Sequence, residues 1–466
     1  MSIPSKLTVN FPPPLDPGFQ PAVLASRKFA ATVAASGKPQ PVQIALEQAD
    51  GSVMRFATEV LPEGHPEEAS NMRRVERLVK FLLWSRGGFR IHFAGPRKVG
   101  EALKQHFVTT ATGKFDAQIM GERIYDRPFE VLLTDAAGLP AARESTRPLG
   151  RHLDGCRIGF DLGASDVKVA ASHDGRPVFS EEYPWAPVGE ADPAFHFNFI
   201  NNVLKEAAKH LPRVDGIGGS AAGVYVNNRV KVASLFRAVP PALFQAKVKD
   251  FFLDMQKAWG GIPFDVVNDG EVTALAGSMS FNDTAVLGVA MGSSEATGYV
   301  TPDGNITSWL NELAFAPVDD RADGPLDEWS GDRGCGVQYF SQQGVGRLLP
   351  AAGIETTPGL GLPEKLKFVQ QLMAKEDPRA RKIYETVGRY LGYTIAHYAD
   401  FYTIRNVLVL GRVTSGTGGT IIMDYAQEVL DKEFPQLAGS LQLRTPDERD
   451  KRHGQAIAAA SLPVIN

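Results

Sequence analysis

The feature that most constrains the fold of this chain is the stretch from Ile158 to Ala170, IGFDLGASDVKVA. Two alternating apolar runs flank a tight turn at Gly163–Asp166, a pattern that predicts a β-hairpin. The small residues of the turn let backbone N–H groups approach an anion closely, and Ser165 adds a hydroxyl donor. Asp161, which precedes the turn, suits a hydrated Mg²⁺, because that ion keeps several waters and takes only one or two carboxylates. The alternative is an ordinary hairpin with a polar turn, since short Gly/Ser turns are common.

The composition of the chain argues against several classes of protein. Its 466 residues carry a formal net charge of −4, which gives no overall attraction to nucleic acid or anionic membranes. No apolar run approaches the roughly 18 residues of a membrane span, and the first residues lack a signal-peptide core. The two cysteines, Cys156 and Cys335, are too few for a disulfide framework. We therefore expect a cytoplasmic protein without membrane segments.

Residues 1–150 are expected to form a small α+β accessory domain. The first 40 residues begin rich in proline and predict an irregular arm or an extended strap. Alternation around Asp50–Gly51 predicts a hairpin. Further along, the patterns predict helices at Asn71–Ser85 and Pro96–Phe107 and strands at Phe89–Ala94 and Phe129–Thr134. Because residues 137–150 carry two prolines and no apolar periodicity, we place a linker there and a second domain at 151–466.

Basic residues outnumber acidic ones in the first domain between residues 73 and 104. They are Arg73, Arg74, Arg77, Lys80, Arg86, Arg90, Arg97, Lys98 and Lys104, against Glu76 and Glu101. Such a face is compatible with nucleic-acid binding. A solvated helix face, or pairing with acidic residues of a neighbouring domain, is the commoner outcome, and it is the one we favour.

In the second domain, apolar strands run into glycine-containing loops at three places. Besides the turn after Leu162, the strand Thr284–Met291 leads into Gly292–Gly298, and Val407–Leu410 leads into Gly411–Gly419. Three such junctions in one domain are hard to explain as turns alone and indicate a nucleotide held mainly by backbone donors, between two lobes. Helices are predicted around these junctions at Ala194–His210, Val248–Trp259 and Asp377–Tyr402.

A polar pair, Asn268 and Asp269, stands where a predicted strand ends and a predicted helix begins. This is the usual place for ligand-binding groups in α/β proteins. A carboxylate there could accept the proton of a hydroxyl as its oxygen attacks a phosphorus atom. The alternative is that Asp269 caps the helix, and the two roles do not exclude each other.

The order of these motifs resembles the ROK family (repressors, open reading frames and sugar kinases) of the actin/hexokinase-like ATPase superfamily. The resemblance covers roughly residues 151–462 and does not reach the first 150. It implies a two-lobed α/β domain of the ribonuclease H-like kind, here preceded by the small α+β domain. The matching motifs are DLGAS with Lys168, GSAAGVYVNNRV, NDGE, GSSEATG, GRVTSG and the closing helix GQAIAAASL.

The resemblance also implies a role for each matching residue. Asp269 would be the catalytic base, and Asn268, Gly223 and Glu312 would bind the sugar. Asp161 would hold Mg²⁺ through water. The phosphate- and nucleotide-binding positions would be Asp161, Gly163, Ala164, Ser165, Lys168, Gly292, Ser293 and Gly411.

The chain departs from the family pattern at two functional positions. Phe315 stands in place of the family's sugar-site histidine. Of the family's zinc-binding cysteine cluster only Cys335 remains, with Glu328 and Ser330 at other cysteine positions. Since a structural zinc site needs about four nitrogen or sulfur ligands, we predict no zinc.

Together these features predict an ATP- and Mg²⁺-dependent sugar kinase that transfers the γ-phosphate to a hydroxyl of a hexose or hexose derivative. The alternatives are a sugar-responsive regulator and a non-catalytic sugar-binding protein with the same fold. The expected partner is a small sugar, with neither membrane nor nucleic acid involved, and a homodimer is the oligomeric state to be tested.

Overall fold

A computed structural model describes residues 7–143, 149–446 and 454–465. Its contacts divide the chain into two compact units. Unit 1 comprises Met1–Glu144, Ala290–Ala296 and Trp309–Leu443, and unit 2 comprises Ser145–Val289, Thr297–Ser308 and Arg444–Asn466. The N-terminal residues thus share a compact unit with residues 309–443. The proposed domain boundary between residues 150 and 151 stays a prediction.

The described part of the first 143 residues contains a four-stranded sheet and four α-helices. The strands are β1 (Gln40–Glu47), β2 (Val53–Val60), β3 (Arg90–Ala94) and β4 (Glu130–Leu133). The helices are α1 (Ala22–Ala35), α2 (Ser70–Arg86), α3 (Arg97–Thr109) and α4 (Ala111–Ala117), which continues as a π-helical segment at Gln118–Tyr125. The sheet order is β2-β1-β3-β4, with β3 and β4 parallel and the other pairs antiparallel.

The predicted hairpin, helices and strands of this region are confirmed. The prediction of an irregular arm is wrong for Ala22–Ala35, which forms α1. The prolines that suggested an arm end at Pro21, directly before the helix, and the alanine-rich run after it favours helix.

The next region begins with the predicted hairpin and contains a five-stranded sheet and a separate two-stranded hairpin. The strands of the region are β5 (Cys156–Leu162), β6 (Asp166–His173), β7 (Arg176–Pro184), β8 (Gly216–Ala221), β9 (Val224–Val226), β10 (Arg229–Val232) and β11 (Phe264–Asn268). Its helices are α5 (Pro193–Ala208), α6 (Pro241–Leu243), α7 (Phe251–Ala258) and α8 (Asp269–Phe281), with a π-helical segment at Phe244–Val248. The sheet order is β11-β8-β5-β6-β7, and β9 and β10 form a separate hairpin. Within the sheet, β11, β8 and β5 are parallel neighbours, and β6 and β7 continue it antiparallel.

The remaining elements complete the α/β architecture. The strands are β12 (Val286–Met291), β13 (Glu295–Val300), β14 (Asn406–Leu410) and β15 (Gln442–Arg444), in the sheet order β13-β12-β14-β15. The helices are α9 (Gln342–Leu348), α10 (Leu362–Met373), α11 (Pro378–Ala399), α12 (Thr417–Glu433), α13 (Pro435–Ala438) and α14 (Gly454–Ala460). Short 3₁₀ segments lie at Pro187–Gly189, Ser234–Phe236, Leu313–Phe315, Gly336–Gln338 and Arg412–Thr414. No helix of the described residues is both long enough and apolar enough to span a bilayer.

In unit 2, the helix α14 lies directly against the glycines of two central strands. A Cβ added at Gly159 of β5 would fall 1.7 Å from the Ala456 carbonyl oxygen, and one at Gly218 of β8 would fall 1.7 Å from that of Ala459. A helix backbone can approach a sheet this closely only where the strands carry no side chain. The apolar residues of β5, β8 and β11 form one buried core with α5 and α7.

In unit 1, the N-terminal arm is fastened along α11. The Phe11 amide donates to the Tyr393 hydroxyl over 3.2 Å, and the Leu15 amide donates to the Thr386 hydroxyl over 3.3 Å. Asp16 then accepts from Arg321 over 2.7 Å, in a largely buried ion pair. Of the two predicted forms, the arm has the course of a strap, and it is held by partly buried polar contacts.

Candidate active site

The predicted residues of unit 2 meet because three parallel strands end at the same edge of the sheet. The register pairs Asp161 on β5 with Ser220 on β8, and it pairs Ala221 on β8 with Asn268 on β11. Side chains at the carboxyl ends of neighbouring parallel strands lie close together, and ligands bind there in α/β sheets. Strand pairing therefore brings Asp161 and Asn268 to one edge, and Asp269 follows as the first residue of α8.

Asp161 lies buried at this edge between two polar partners. Its Oδ1 accepts a hydrogen bond of 2.7 Å from the Ser220 hydroxyl. The Lys168 ammonium, on the paired residue of β6, lies 3.7 Å from its Oδ2. Burial raises the pKa of Asp161, whereas the Ser220 hydrogen bond and the Lys168 charge act in the opposite direction. The site thus places a carboxylate and an ammonium side by side.

The turn between β5 and β6 is tight, as predicted, and it is partly exposed. The Gly163 amide donates to the Asp166 carbonyl over 2.9 Å, and the Gly163 carbonyl accepts from the Trp185 indole over 2.8 Å. Ala164 and Ser165 are exposed at its tip. The Ser165 hydroxyl donates to the Asp166 carboxylate over 2.8 Å. The turn is therefore fixed by its own hydrogen bonds and by a buried tryptophan.

Asn268 joins the start of helix α8 to the loop after β8. It is the N-cap residue of the helix, and its Oδ1 accepts from the Gly270 amide over 2.7 Å. Its Nδ2 donates to the Gly223 carbonyl over 2.7 Å. The capping role that we considered for Asp269 therefore belongs chiefly to Asn268. Asp269 is the first residue of the helix and also accepts from the Gly270 amide, over 3.0 Å.

Asp269 is half-buried at the mouth of this edge. Burial is the largest cause that raises its pKa, to about 6, and repulsion by the Asp161 carboxylate adds to it. The Gly270 amide works against the rise. A carboxylate with a pKa near 6 is a stronger base than an ordinary aspartate and is still ionised at neutral pH, which is what a general base requires.

In unit 1, two of the predicted nucleotide-binding glycines lie at the ends of the neighbouring strands β12 and β14. The Gly292 amide donates to the Ser294 carbonyl over 2.9 Å, which closes a tight turn with Ser293 exposed on it. Gly411 has a φ of 106°, and a Cβ there would fall 2.5 Å from the Met291 carbonyl oxygen. The positive φ and the close approach both require glycine at this position.

Glu312, predicted to bind sugar, belongs to the same unit as a buried carboxyl group that the sequence did not single out. Glu295 is 3% exposed, and its Oε1 accepts from the Tyr398 hydroxyl over 3.4 Å. Burial raises the pKa of Glu295 to about 8, and the charge of Glu312 adds to the rise. The Glu295 side chain lies against Gly336, where an added Cβ would meet its Oε2 at 2.2 Å.

Phe315, which replaces the expected histidine, lies in an aromatic cluster. Its ring centroid is 4.7 Å from that of Trp84 and 4.6 Å from that of Trp329. Phe115 also lies in the cluster, 4.9 Å from Trp329. The phenyl ring at position 315 is therefore matched to aromatic partners, and one of them, Trp84, comes from the N-terminal segment, residues 7–143.

The residues around Cys335 do not form a thiolate cluster. Cys335 is fully buried, and burial raises the pKa of its thiol, so it remains neutral. Ser330, at another cysteine position, uses its hydroxyl to donate to Asp327 over 2.5 Å. Within residues 7–143, 149–446 and 454–465, no group of three or more His, Cys, Asp and Glu side chains could hold a metal ion. The donor set at Cys335 therefore does not fit a zinc ion.

Two residues of these regions were missed by the sequence analysis. Ser220 could have been found, because pairing the strand that contains it with the DLGAS strand places its hydroxyl opposite Asp161. Glu295 gave no such signal, since an acidic residue in a small-residue loop is ordinarily solvated.

Comparison with known proteins identifies the fold. No protein-family model matches the sequence, and no curated protein matches it. Among solved structures, the chain is similar to the ROK hexokinase from Thermus thermophilus, with 18% identity and a TM-score of 0.50 over 66% of this chain and 96% of that one. It is also similar to a ROK family transcriptional regulator, a homologue of the E. coli MLC protein, with 18% identity and a TM-score of 0.52 over 66% of this chain and 78% of that one. The N-terminal part is left unmatched, and about two thirds of the chain has the two-lobed α/β fold of the ROK family.

Proposed function

We propose that this protein is a sugar kinase that transfers the γ-phosphate of ATP to a hydroxyl of a hexose or hexose derivative. The observation that carries the proposal is the pair of carboxylates at one sheet edge, Asp161 beside Lys168, and Asp269 with its pKa raised to about 6. Phosphoryl transfer needs these two kinds of group, one to organise phosphate charge and one to accept the proton of the hydroxyl.

Asp269 is the proposed general base. It orients the sugar hydroxyl and takes its proton as the oxygen attacks phosphorus. Asn268, Gly223 and Glu312 are the proposed sugar-binding residues. The Asn268 side chain already has hydrogen bonds to the Gly223 carbonyl and the Gly270 amide, so its rotamer is fixed before any substrate arrives.

The residues for phosphate binding are proposed from the two glycine-containing turns and the lysine. Lys168 and the turn residues Gly163, Ala164 and Ser165 form one group, and Gly292, Ser293 and Gly411 form another. Asp161 suits Mg²⁺ held through water, because a carboxylate fixed by Ser220 needs no further protein ligand when phosphates complete the coordination. When bound there, the ion would neutralise charge on the transferred phosphoryl group.

The test is a coupled phosphorylation assay with the full chain across hexoses, amino sugars and N-acylated sugars, with ATP and other phosphoryl donors. We expect turnover with at least one sugar, and we expect Asp269→Asn to lower kcat by about 10²–10⁴-fold while leaving sugar binding largely intact in calorimetry. Asp254→Asn, at an exposed position of α7, is the matched control and should keep full activity. Unchanged turnover in Asp269→Asn would refute the base assignment.

A sugar-responsive regulator is the second candidate, because the fold is shared with a ROK transcriptional regulator. The basic residues of the N-terminal segment give little support to DNA binding, because several of them are paired with carboxylates of the chain itself. Arg77 lies 3.0 Å from Asp332, Lys98 lies 2.8 Å from Glu68, and Arg90 lies 2.7 Å from Glu130. Salt-dependent binding of the full chain to DNA would favour the regulator, and sugar binding without turnover would favour a non-catalytic protein.

A further inference from the structure

The end of helix α2 is completed by the backbone of residues 311 and 312. The last carbonyl groups of a helix have no partner within the helix. Here the Trp84 carbonyl accepts from the Glu312 amide over 2.9 Å, and the Ser85 carbonyl accepts from the Asn311 amide over 3.0 Å. Asn311 has a φ of +50°, an unusual conformation for a residue other than glycine. The proposed sugar-binding residue Glu312 is therefore held through its own main chain by the N-terminal segment.

A second contact joins α2 to the same part of the chain by charge. The Lys80 ammonium, with a side chain only 2% exposed, lies 3.0 Å from the Asp332 carboxylate and 2.9 Å from that of Asp116. Arg77, one turn earlier, also lies 3.0 Å from Asp332. Burial alone would raise the pKa of Asp332, but these two cations outweigh it and lower that pKa to about 2.

The third contact is aromatic. Trp84 of α2 packs against Phe315 at 4.7 Å and reaches Trp329 at 6.3 Å, both measured between ring centroids. The Trp84 indole also donates to Asp116 over 3.0 Å, which fixes the orientation of its ring. Packing, backbone hydrogen bonds and ion pairs from one helix thus converge on residues 311–335.

Residues 311–335 have little regular structure to define their own conformation. Regular structure within them is limited, among the described residues, to the 3₁₀ segment Leu313–Phe315 and isolated bridges such as Pro317–Cys335. A segment without a ladder of its own takes its conformation from what it packs against. The contacts with α2 therefore help to determine the conformation of residues 311–335, in addition to holding the two parts of the chain together.

We propose that helix α2 is a positioning element of residues 311–335, and that the buried Lys80 ammonium joins this segment to the N-terminal segment where the ROK resemblance would place a zinc cluster. The Cys335 donor set does not fit zinc, and the cation present in its place is supplied by the chain itself. The part of the proposal that concerns sugar binding rests on the proposed function, because it acts through Glu312.

Hydrogen exchange of the full-length protein tests the structural part. In Asp332→Asn, the segment loses its charge partner for Lys80 and Arg77, and we expect peptides within residues 311–335 to exchange about tenfold faster. Asp116→Asn is the matched control, because it removes the other charge partner of Lys80, keeps a side-chain oxygen to accept from the Trp84 indole, and leaves the Lys80–Asp332 contact intact. Lys80→Met removes the cation of Asp116 and leaves Asp332 with Arg77 alone, and it should also accelerate exchange of the segment. If Lys80→Met does not fold, Asp332→Asn decides the question.

Equal exchange of residues 311–335 in the wild type and Asp332→Asn would overturn the proposal, as would equal acceleration in Asp332→Asn and Asp116→Asn. One zinc ion per chain in the purified protein would overturn it too.

The kinetic part is a change in the KM for sugar. We expect Asp332→Asn to raise the sugar KM about tenfold while the KM for the phosphoryl donor stays unchanged, since Glu312 contacts sugar alone in this scheme. Faster exchange without a change in the sugar KM would overturn the positioning of Glu312. If the wild type phosphorylates no sugar, the proposed function fails, and the exchange result still decides whether α2 holds the segment.

Discussion

The carboxyl edge of the five-stranded sheet and residues 311–335 carry two parts of the proposed sugar-kinase machinery, and they are built in opposite ways. At the sheet edge, strand register sets Asp161 opposite Ser220 and places Asn268 one residue further along, opposite Ala221. In residues 311–335, position comes largely from α2, through contacts such as that between Arg77 and Asp332, which are 255 residues apart in sequence. The first region carries motifs that resemble the ROK family, whereas the second has Phe315 at the position of the expected histidine and only Cys335 of the expected cysteines.

The difference shows which parts of a site can change. A residue placed by strand pairing depends on backbone hydrogen bonds, which most substitutions leave intact. A residue placed by packing depends on particular partners, so a change in the partners permits a change in the residue. Phe315 beside Trp84, and Asp332 beside Lys80, are such matched pairs.

The largest effect is expected at Gly218, where the backbone of α14 lies so close to β8 that the strand can carry no side chain. Gly218→Val would drive a branched side chain into the Ala459 carbonyl of α14, and we expect a loss of about 4 kcal/mol or more in the free energy of unfolding, or insoluble protein. Gly189→Val is the control, because no atom lies within 4 Å of a Cβ at that position. Thermal unfolding measures the stability of both variants. Similar stabilities would show that the packing of α14 on the sheet does not require glycine at position 218.

The raised pKa of Asp269 predicts a particular pH dependence of the reaction at the sheet edge. With a pKa of about 6, Asp269 becomes protonated as the pH falls, so kcat/KM should drop about tenfold per pH unit below 6 and level off above it. Because the Asp161 charge contributes to this raised pKa, Asp161→Asn should move the midpoint to lower pH, whatever it does to the rate. A midpoint that stays in place would contradict the coupling of the two carboxylates.

A smaller effect is expected in unit 1, at Glu295. Its pKa is raised from 4.5 to about 8, so the folded state binds a proton that the unfolded state has released, and stability falls as the pH rises through this interval. Glu295→Gln resembles the neutral form and should unfold about 2–4 °C above the wild type at pH 8, with no difference near pH 4.5. A lower unfolding temperature at pH 8 would mean that Glu295 is stabilised as a charged group.

The smallest effect concerns one hydroxyl. Ser220→Ala removes the 2.7 Å hydrogen bond to Asp161 and should cost about 1 kcal/mol in the free energy of unfolding. It should also raise the pKa of Asp161 further, because that hydrogen bond opposes the effect of burial. Urea unfolding measures the first change and titration by NMR the second. An Asp161 pKa that falls in the variant would contradict the assignment of Ser220 as a donor.

The sequence predicts these two regions unequally, for a physical reason. Periodicity and turn residues are local, so the hairpin at Gly163, the helix at Asn71–Ser85 and the strand before Asn268 could be found without a structure. The burial of Lys80 could not, because a lysine on an amphipathic helix is ordinarily solvated and its partner Asp332 is far away in sequence. At Ala22–Ala35 the prolines that precede the segment suggested an irregular arm, although the segment forms a helix.

The dependence of the α2 terminus on distant partners has a consequence for synthesis on the ribosome. Arg77 and Asp332 are 255 positions apart, and at about 5–20 residues per second their emergence is separated by roughly 10–50 s. For that interval Lys80 has Asp116 as a partner but lacks Asp332, and the Trp84 and Ser85 carbonyls lack the amides of residues 312 and 311. The N-terminal segment therefore reaches its final form late, and we expect nascent chains stalled before residue 311 to be sensitive to proteases at α2.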